Sequence, residues 1–202
     1  MTSPSEVLRA TLRPMSGFDP DAEVRVKQLD DVEWEVLQAF TYRTPDRPYT
    51  VPVGRRTDFA SVPRVFVWLL PRYGRYTLSA ILHDHLWRDL VAAGELTYQD
   101  ADRLFRQALG SQAVPVLRRW LMWAAVRWAA LRKPGGTEGW LRDAPLVILV
   151  SLLAAPVVLP PAAVVFVALA VFYVAELLVW LLARLLRRSP RDVPRPVLSW
   201  WT

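Results

Sequence analysis

Four polar side chains stand in apolar company in the first two-thirds of the chain: Asp58, His83, Asp84 and Asp102. Acids are rarely buried without a partner, so each of these carboxylates needs one. His83 and Asp84 lie in the run GRYTLSAILHDHLW, residues 74–87. Leu78, Ile81, Leu82, Leu86 and Leu90 recur there at helical spacing, which predicts a helix over 76–92 closed by Gly94. Neighbours on a helix point about 100° apart, so His83 and Asp84 do not bond each other but line a cleft from two sides. Arg88, four residues on, is placed to pair with Asp84, and His85 is expected at the surface without a role.

Asp102 belongs to a second predicted helix. Thr97 and Asp100 have capping-box spacing, Ala101, Leu104, Phe105 and Ala108 form an apolar face, and Gly110 is expected to stop the helix. An antiparallel pair joined through residues 93–96 brings His83 within reach of Asp102. A carboxylate on one imidazole nitrogen orients the ring and favours its use as a general base. The plain alternative is a buried structural pair that clamps two helices. Asp58 sits in Thr57-Asp58-Phe59-Ala60-Ser61, where oxygen ligands can hold a hard cation or cap the next turn. Asp58 and Asp84 are thus the candidate metal ligands, and His83 and Asp102 the candidate catalytic pair. The chain has no Gly-x-Ser-x-Gly and no phosphate loop.

The elements that must position these groups predict an α+β fold: a small antiparallel β meander packed on three helices, then a C-terminal transmembrane helical hairpin. Residues 1–22, rich in proline, read as an arm with one short strand near 7–12. Residues 23–29 and 49–53 read as strands, and Trp34, Val36, Gln38, Phe40 and Tyr42 alternate as one longer strand. Residues 54–63 read as a loop, and the third helix covers 116–131. The domain is expected over 23–133, followed by a linker over 134–143 that begins at Pro134-Gly135-Gly136.

Residues 144–186 carry only Glu176 and Arg184 as charges, too apolar and too long for a core helix. Pro160-Pro161 divides them into arms at 144–159 and 162–182, hence the hairpin. A single span over 162–182, with 144–159 in the interface, is the main alternative. The formal net charge is +6, and Lys27 and Lys133 are the only lysines. Arginines cluster on both flanks of the apolar region, which favours a lipid bilayer over nucleic acid as the partner. Trp120, Trp123, Trp128, Trp200 and Trp201 are candidates for the headgroup layer. No apolar signal core appears near residue 1, so the domain and the tail over 187–202 are expected on the cytosolic face of the cytoplasmic membrane. With no cysteine, disulfides and thiolate chemistry are excluded.

Two resemblances add to this reading. The residues Val51-Pro52, Gly54, Thr57 to Arg64, Gly74-Arg75-Tyr76, His83-Asp84, Ala101-Asp102 and the basic, aromatic helix over 118–127 resemble domain of unknown function family 1353, common in bacteriophage and prophage genomes. That resemblance spans about residues 24–132. It implies a compact α+β domain of phage or prophage origin, with no established activity; joined to the apolar C-terminal region, the function expected is a membrane-tethered module for assembly, docking or membrane attachment. A His-Asp pair on one helix with a later Asp on the next is also similar to secreted phospholipases A2. That likeness implies His83 as base, Asp102 as its orienting acid, Asp84 with Asp58 as ligands for Ca2+, and a lipid ester as substrate. The disulfides and the glycine-rich calcium loop of that family have no counterpart here.

Overall fold

The computed structural model describes residues 16–60, 62–186 and 193–197. The strand expected near 7–12, and Trp200 and Trp201, lie outside the described residues. The chain divides into two compact units. One comprises Met1–Ala60 with Tyr73–Ser151, and the other Ser61–Arg72 with Leu152–Thr202.

The first unit holds two three-stranded antiparallel sheets where one meander is expected. In one, β1 (Gly17–Phe18), β4 (Phe40–Arg43) and β5 (Pro48–Val51) lie in the order β1-β4-β5. In the other, β2 (Val26–Gln28), β3 (Trp34–Val36) and β6 (Arg56–Thr57) lie in the order β2-β3-β6. The alternating run over 34–42 is therefore broken between β3 and β4. Gln38 is the polar member of its bulky face, and the ladder stops there. Leu37 is half exposed, while Val36, Phe40 and Tyr42 on either side of the break stay buried in one core. The alternation is real, but it serves two sheets. β1 also places Gly17 and Phe18, expected in the arm, against Arg43 and Tyr42. β6 lies in the stretch expected as loop and pairs Thr57 with Trp34.

Helix α1 (Thr77–His85) runs into a π-helical segment, Leu86–Val91. Gly94, at φ +76°, supplies the left-handed residue that ends it. Helix α2 (Tyr98–Ser111) opens on Thr97, whose hydroxyl accepts from the Asp100 N–H at 3.0 Å. It passes through Gly110 and ends one residue later. Helix α3 spans Val116–Ala130. Leu78, Ile81, Leu82 and Leu86 meet Ala101, Leu104 and Ala108 in the same core as the strand residues.

Helix α4 (Trp140–Leu185) is continuous over 46 residues, so the expected hairpin is replaced by one helix through Pro156, Pro160 and Pro161. Each proline removes one N–H donor. An apolar helix keeps its remaining backbone bonds because little else nearby can satisfy them. Residues 140–143, expected as linker, form its first turn. In the second unit, Arg64–Phe66 is a short 3-10 turn.

Candidate functional site

Both helices were required to place His83 beside Asp102, and they do. His83 Nε2 lies 2.7 Å from Asp102 Oδ1. Trp87, one turn further along, donates its indole N–H to the same oxygen at 2.9 Å. The Arg127 Nη1 group of α3 donates to Asp102 Oδ2 at 3.1 Å. Both carboxylate oxygens are thus engaged, and Asp102 and Arg127 have no solvent exposure. The His83 ring packs between Trp87 and Phe105, with centroids 4.8 and 4.6 Å away. Arg127 Nε stands 3.0 Å from Asp143 Oδ2 in the first turn of α4. That contact is an ion pair by distance, but its N–H direction falls outside hydrogen-bond alignment.

Asp84 turns to other partners. The Thr57 hydroxyl donates to Asp84 Oδ2 at 2.5 Å and itself accepts from the Phe59 N–H at 2.9 Å. Burial raises the Asp84 pKa well above the carboxylate range. The neighbouring Asp58 charge adds to the rise, and Thr57 and Arg88 oppose it. Arg88 does not hydrogen-bond Asp84 as its spacing suggests. It donates to Asp58 Oδ1 at 3.3 Å and lies 3.7 Å from Glu33. His83 thus meets Asp102, and Asp84 lies beside Asp58; the hydrogen bonds described for His83 and Asp102 and those described for Asp84 involve different residues.

His85 corrects the surface expectation. It is buried, its Nδ1 lies 2.5 Å from Asp89 Oδ2, and Asp89 pairs with Arg55 at 2.8 Å. The tryptophans are corrected in part. Trp123 is 4% exposed and packs with Val147, so it is a core residue rather than a headgroup residue. Trp120 meets it edge to face at 5.4 Å. Trp128 is exposed and donates to Ser151 Oγ at 3.1 Å.

Among the described residues, no group of three or more His, Asp or Glu side chains is placed to hold a metal ion. Two carboxylates and one hydroxyl fall short of the six to eight oxygens, roughly, that calcium takes. The side-chain set does not by itself make a calcium cage, and no step is derived through a cation. An open groove of about 470 Å³ lies elsewhere, between Gly94–Asp100 and Pro134–Glu138, and contains none of the four predicted residues.

Sequence reading missed Trp87, Arg127 and Asp143, and placed Thr57 beside Asp58 rather than as the hydroxyl that holds Asp84. Arg127 left a signal: Trp123, Ala124, Arg127 and Ala130 share one helical face, and all four are buried. A cation on an apolar stripe demands an acid, which Asp102 supplies.

Asp102→Ala leaves the buried Arg127 guanidinium short of one of its two acids. It is expected to cost about 3 kcal/mol or more, read from urea unfolding in detergent. A loss under about 1 kcal/mol would mean that the cluster is not a structural clamp. For Asp84, the folded pKa lies above the unfolded value. The native state therefore binds the extra proton, and this group's contribution to stability falls as pH rises from about 4 toward its folded pKa. Asp84→Asn is expected to raise Tm at neutral pH in chelator and to flatten Tm against pH. An unchanged slope would contradict the raised pKa.

Residues 34–126 match the family model described as Protein of unknown function (DUF1353). No curated protein and no solved structure matches the chain. The matched span holds Asp58, His83, Asp84 and Asp102, and ends one residue before Arg127. Over residues 34–126, a little under half of its length, the chain is therefore similar to the DUF1353 family of proteins of unknown function.

Proposed function

We propose that this chain is a membrane-anchored module, in which α4 holds the DUF1353-like domain at a lipid bilayer for assembly, docking or membrane attachment of a phage-type machinery. One observation carries the reading. Helix α4 is long and apolar enough to cross a membrane, and only 6% of its most apolar window is buried inside the protein. A core helix of a water-soluble protein hides such a surface. At 46 residues the helix is roughly 69 Å long, more than twice the hydrocarbon thickness of a bilayer. Continuity through the three prolines favours a single crossing over a hairpin. Arginines flank the helix at both ends, so the side on which the domain stands is decided by the labelling experiment below rather than by charge.

The membrane fraction of expressing cells is expected to retain the protein through alkaline carbonate extraction. Release into the supernatant would refute the anchor. Cysteines introduced at Ser3 and Ser199 are expected to label from opposite sides of intact cells. Same-side labelling would restore the hairpin.

A second reading, a lipid ester hydrolase, is favoured by the hydrogen bond between His83 and Asp102, which fixes one imidazole nitrogen and orients the ring. Purified protein on mixed phospholipid vesicles would then release fatty acid, with a dependence on calcium tested by chelator. His83→Ala would abolish release while the near-ultraviolet circular dichroism persists. We expect no release from the parent protein, and turnover sensitive to His83→Ala would overturn that expectation.

A further inference from the structure

The end of α2 and the start of α3 bring together Arg106 and Arg119, neither of which has an ion-pair partner within 4 Å among the described residues. The Arg106 guanidinium lies 4.1 Å from the Trp120 ring centroid and 5.4 Å from that of Trp123. Its Nε is buried and has no hydrogen-bond partner among the described residues. Burial lowers the Arg106 pKa, and the charges of Arg119 and Arg103 lower it further; only Asp143 opposes them. Neither nearby acid is spare. Asp100 is bonded to Arg103 at 2.6 Å, and Asp143 is paired with Arg127 at 3.0 Å.

Arg119 rests against Gly110. A Cβ there would stand 2.6 Å from its Nη1, so glycine leaves the room the guanidinium occupies. Helix α3 begins at Val116 with no side-chain cap and no acid in its first turn, which instead carries Arg118 and Arg119. Cations at the positive end of a helix are unfavourable, by about 0.3–1 kcal/mol each where exposed. The isolated chain therefore keeps positive charge where helix dipole, burial and neighbours all oppose it. An anion at this corner removes each of those costs.

Beside the arginines, Val116 and Leu117 are 60% and 69% exposed. Apolar side chains next to arginine are what a segment lying in a lipid interface presents. We propose that Arg106 and Arg119 form a site for the phosphate of an anionic phospholipid, with Val116 and Leu117 entering the boundary between headgroups and acyl chains. Stacking on Trp120 and Trp123 holds the Arg106 fork planar and presented for bidentate contact with phosphate oxygens. The exposed apolar pair selects a lipid over a soluble phosphate. Trp120 and Trp123 then serve the membrane as a platform for arginine rather than by entering the headgroups themselves. The site rests on the membrane-anchor reading and names the lipid that this reading requires.

The test uses the full chain in dodecyl maltoside, with phosphatidylglycerol or phosphatidylcholine added and retained lipid counted by native mass spectrometry. The parent is expected to retain phosphatidylglycerol in preference to phosphatidylcholine. Arg106→Gln with Arg119→Gln is expected to lower that retention about tenfold, the scale of one lost charge-assisted contact. Leu117→Glu is expected to lower it as well. Equal retention of the two lipids by the parent, or unchanged retention in the double variant, overturns the proposal. So does displacement of phosphatidylglycerol by inorganic phosphate at equal concentration, which would assign the site to a soluble anion. If the glutamine pair loses its near-ultraviolet circular dichroism, Arg106→Lys with Arg119→Lys decides by the same criterion. That pair keeps both charges and loses both planar forks. Carbonate extraction of the same variants separates the two readings, because a lost lipid site leaves the protein in the pellet.

Discussion

The fold of the domain converges on one buried carboxylate. Asp102 takes a ring nitrogen of α1, an indole N–H of the π-helical segment and a guanidinium of α3, and it is itself on α2. Through Arg127 the same cluster reaches Asp143 at the start of α4. Ion pairs of this kind return little net stability against a well-packed apolar alternative, because both charges must leave water. What they fix is register. A slide of α1 by one turn would leave Asp102 facing only one of His83 and Trp87, and a rotation of α3 would take Arg127 away from it. Apolar packing alone tolerates such shifts far better than a carboxylate does.

Half of this cluster is legible in the sequence, and the reason lies in sequence separation. His83 and Asp102 sit on successive helices with a short connection, so periodicity and a glycine stop suffice to bring them together. Arg127 comes from a third helix, and Asp143 from a segment that glycine and proline mark as a linker. Nothing local says that the linker ends in a helical turn belonging to the domain. The strands show the same limit. Alternation over 34–42 identifies which residues face the core, yet the break at Gln38 sends the two halves into separate sheets. A two-residue strand such as β6 carries no period at all. His85 was read from the apolar stripe of its own helix, whereas its burial comes with Asp89 one turn on and Arg55 in the strand region.

The prolines of α4 show where a helix-breaking signal does not break the helix. Three prolines within six residues, 156–161, argue for a break when the freed carbonyls can turn to solvent. Along a surface this apolar, breaking the helix would expose further backbone groups with no partner, and continuity is the lesser cost. The sequence signals for a hairpin and for a kinked single helix are identical there. Only the surroundings of the segment separate them.

The two acid pairs differ in the backbone that holds them. His83 and Asp102 both lie in regular helix, and their contact requires no unusual torsion. The Asp58–Asp84 side is built otherwise. Phe59, next to Asp58, has φ +60°, a left-handed conformation that costs a bulky residue roughly 1–2 kcal/mol. It is kept there by its N–H bond to the Thr57 hydroxyl and by its buried ring, 5.5 Å from Trp34. The same hydroxyl holds Asp84. One strained loop thus sets Asp58 beside a carboxylate that its charge disfavours, with Arg88 and Glu33 at the edge. Phe59 is itself part of the core with Val36, Ile81 and Leu82, so burial of its ring offsets the strain, whereas the like-charge contact brings the core nothing. Strained backbone concentrates at functional sites. The clamp at Asp102 uses regular helix throughout; the loop at Asp58 is one of two places among the described residues, with Ala113 at φ +54°, where a non-glycine residue takes a left-handed torsion.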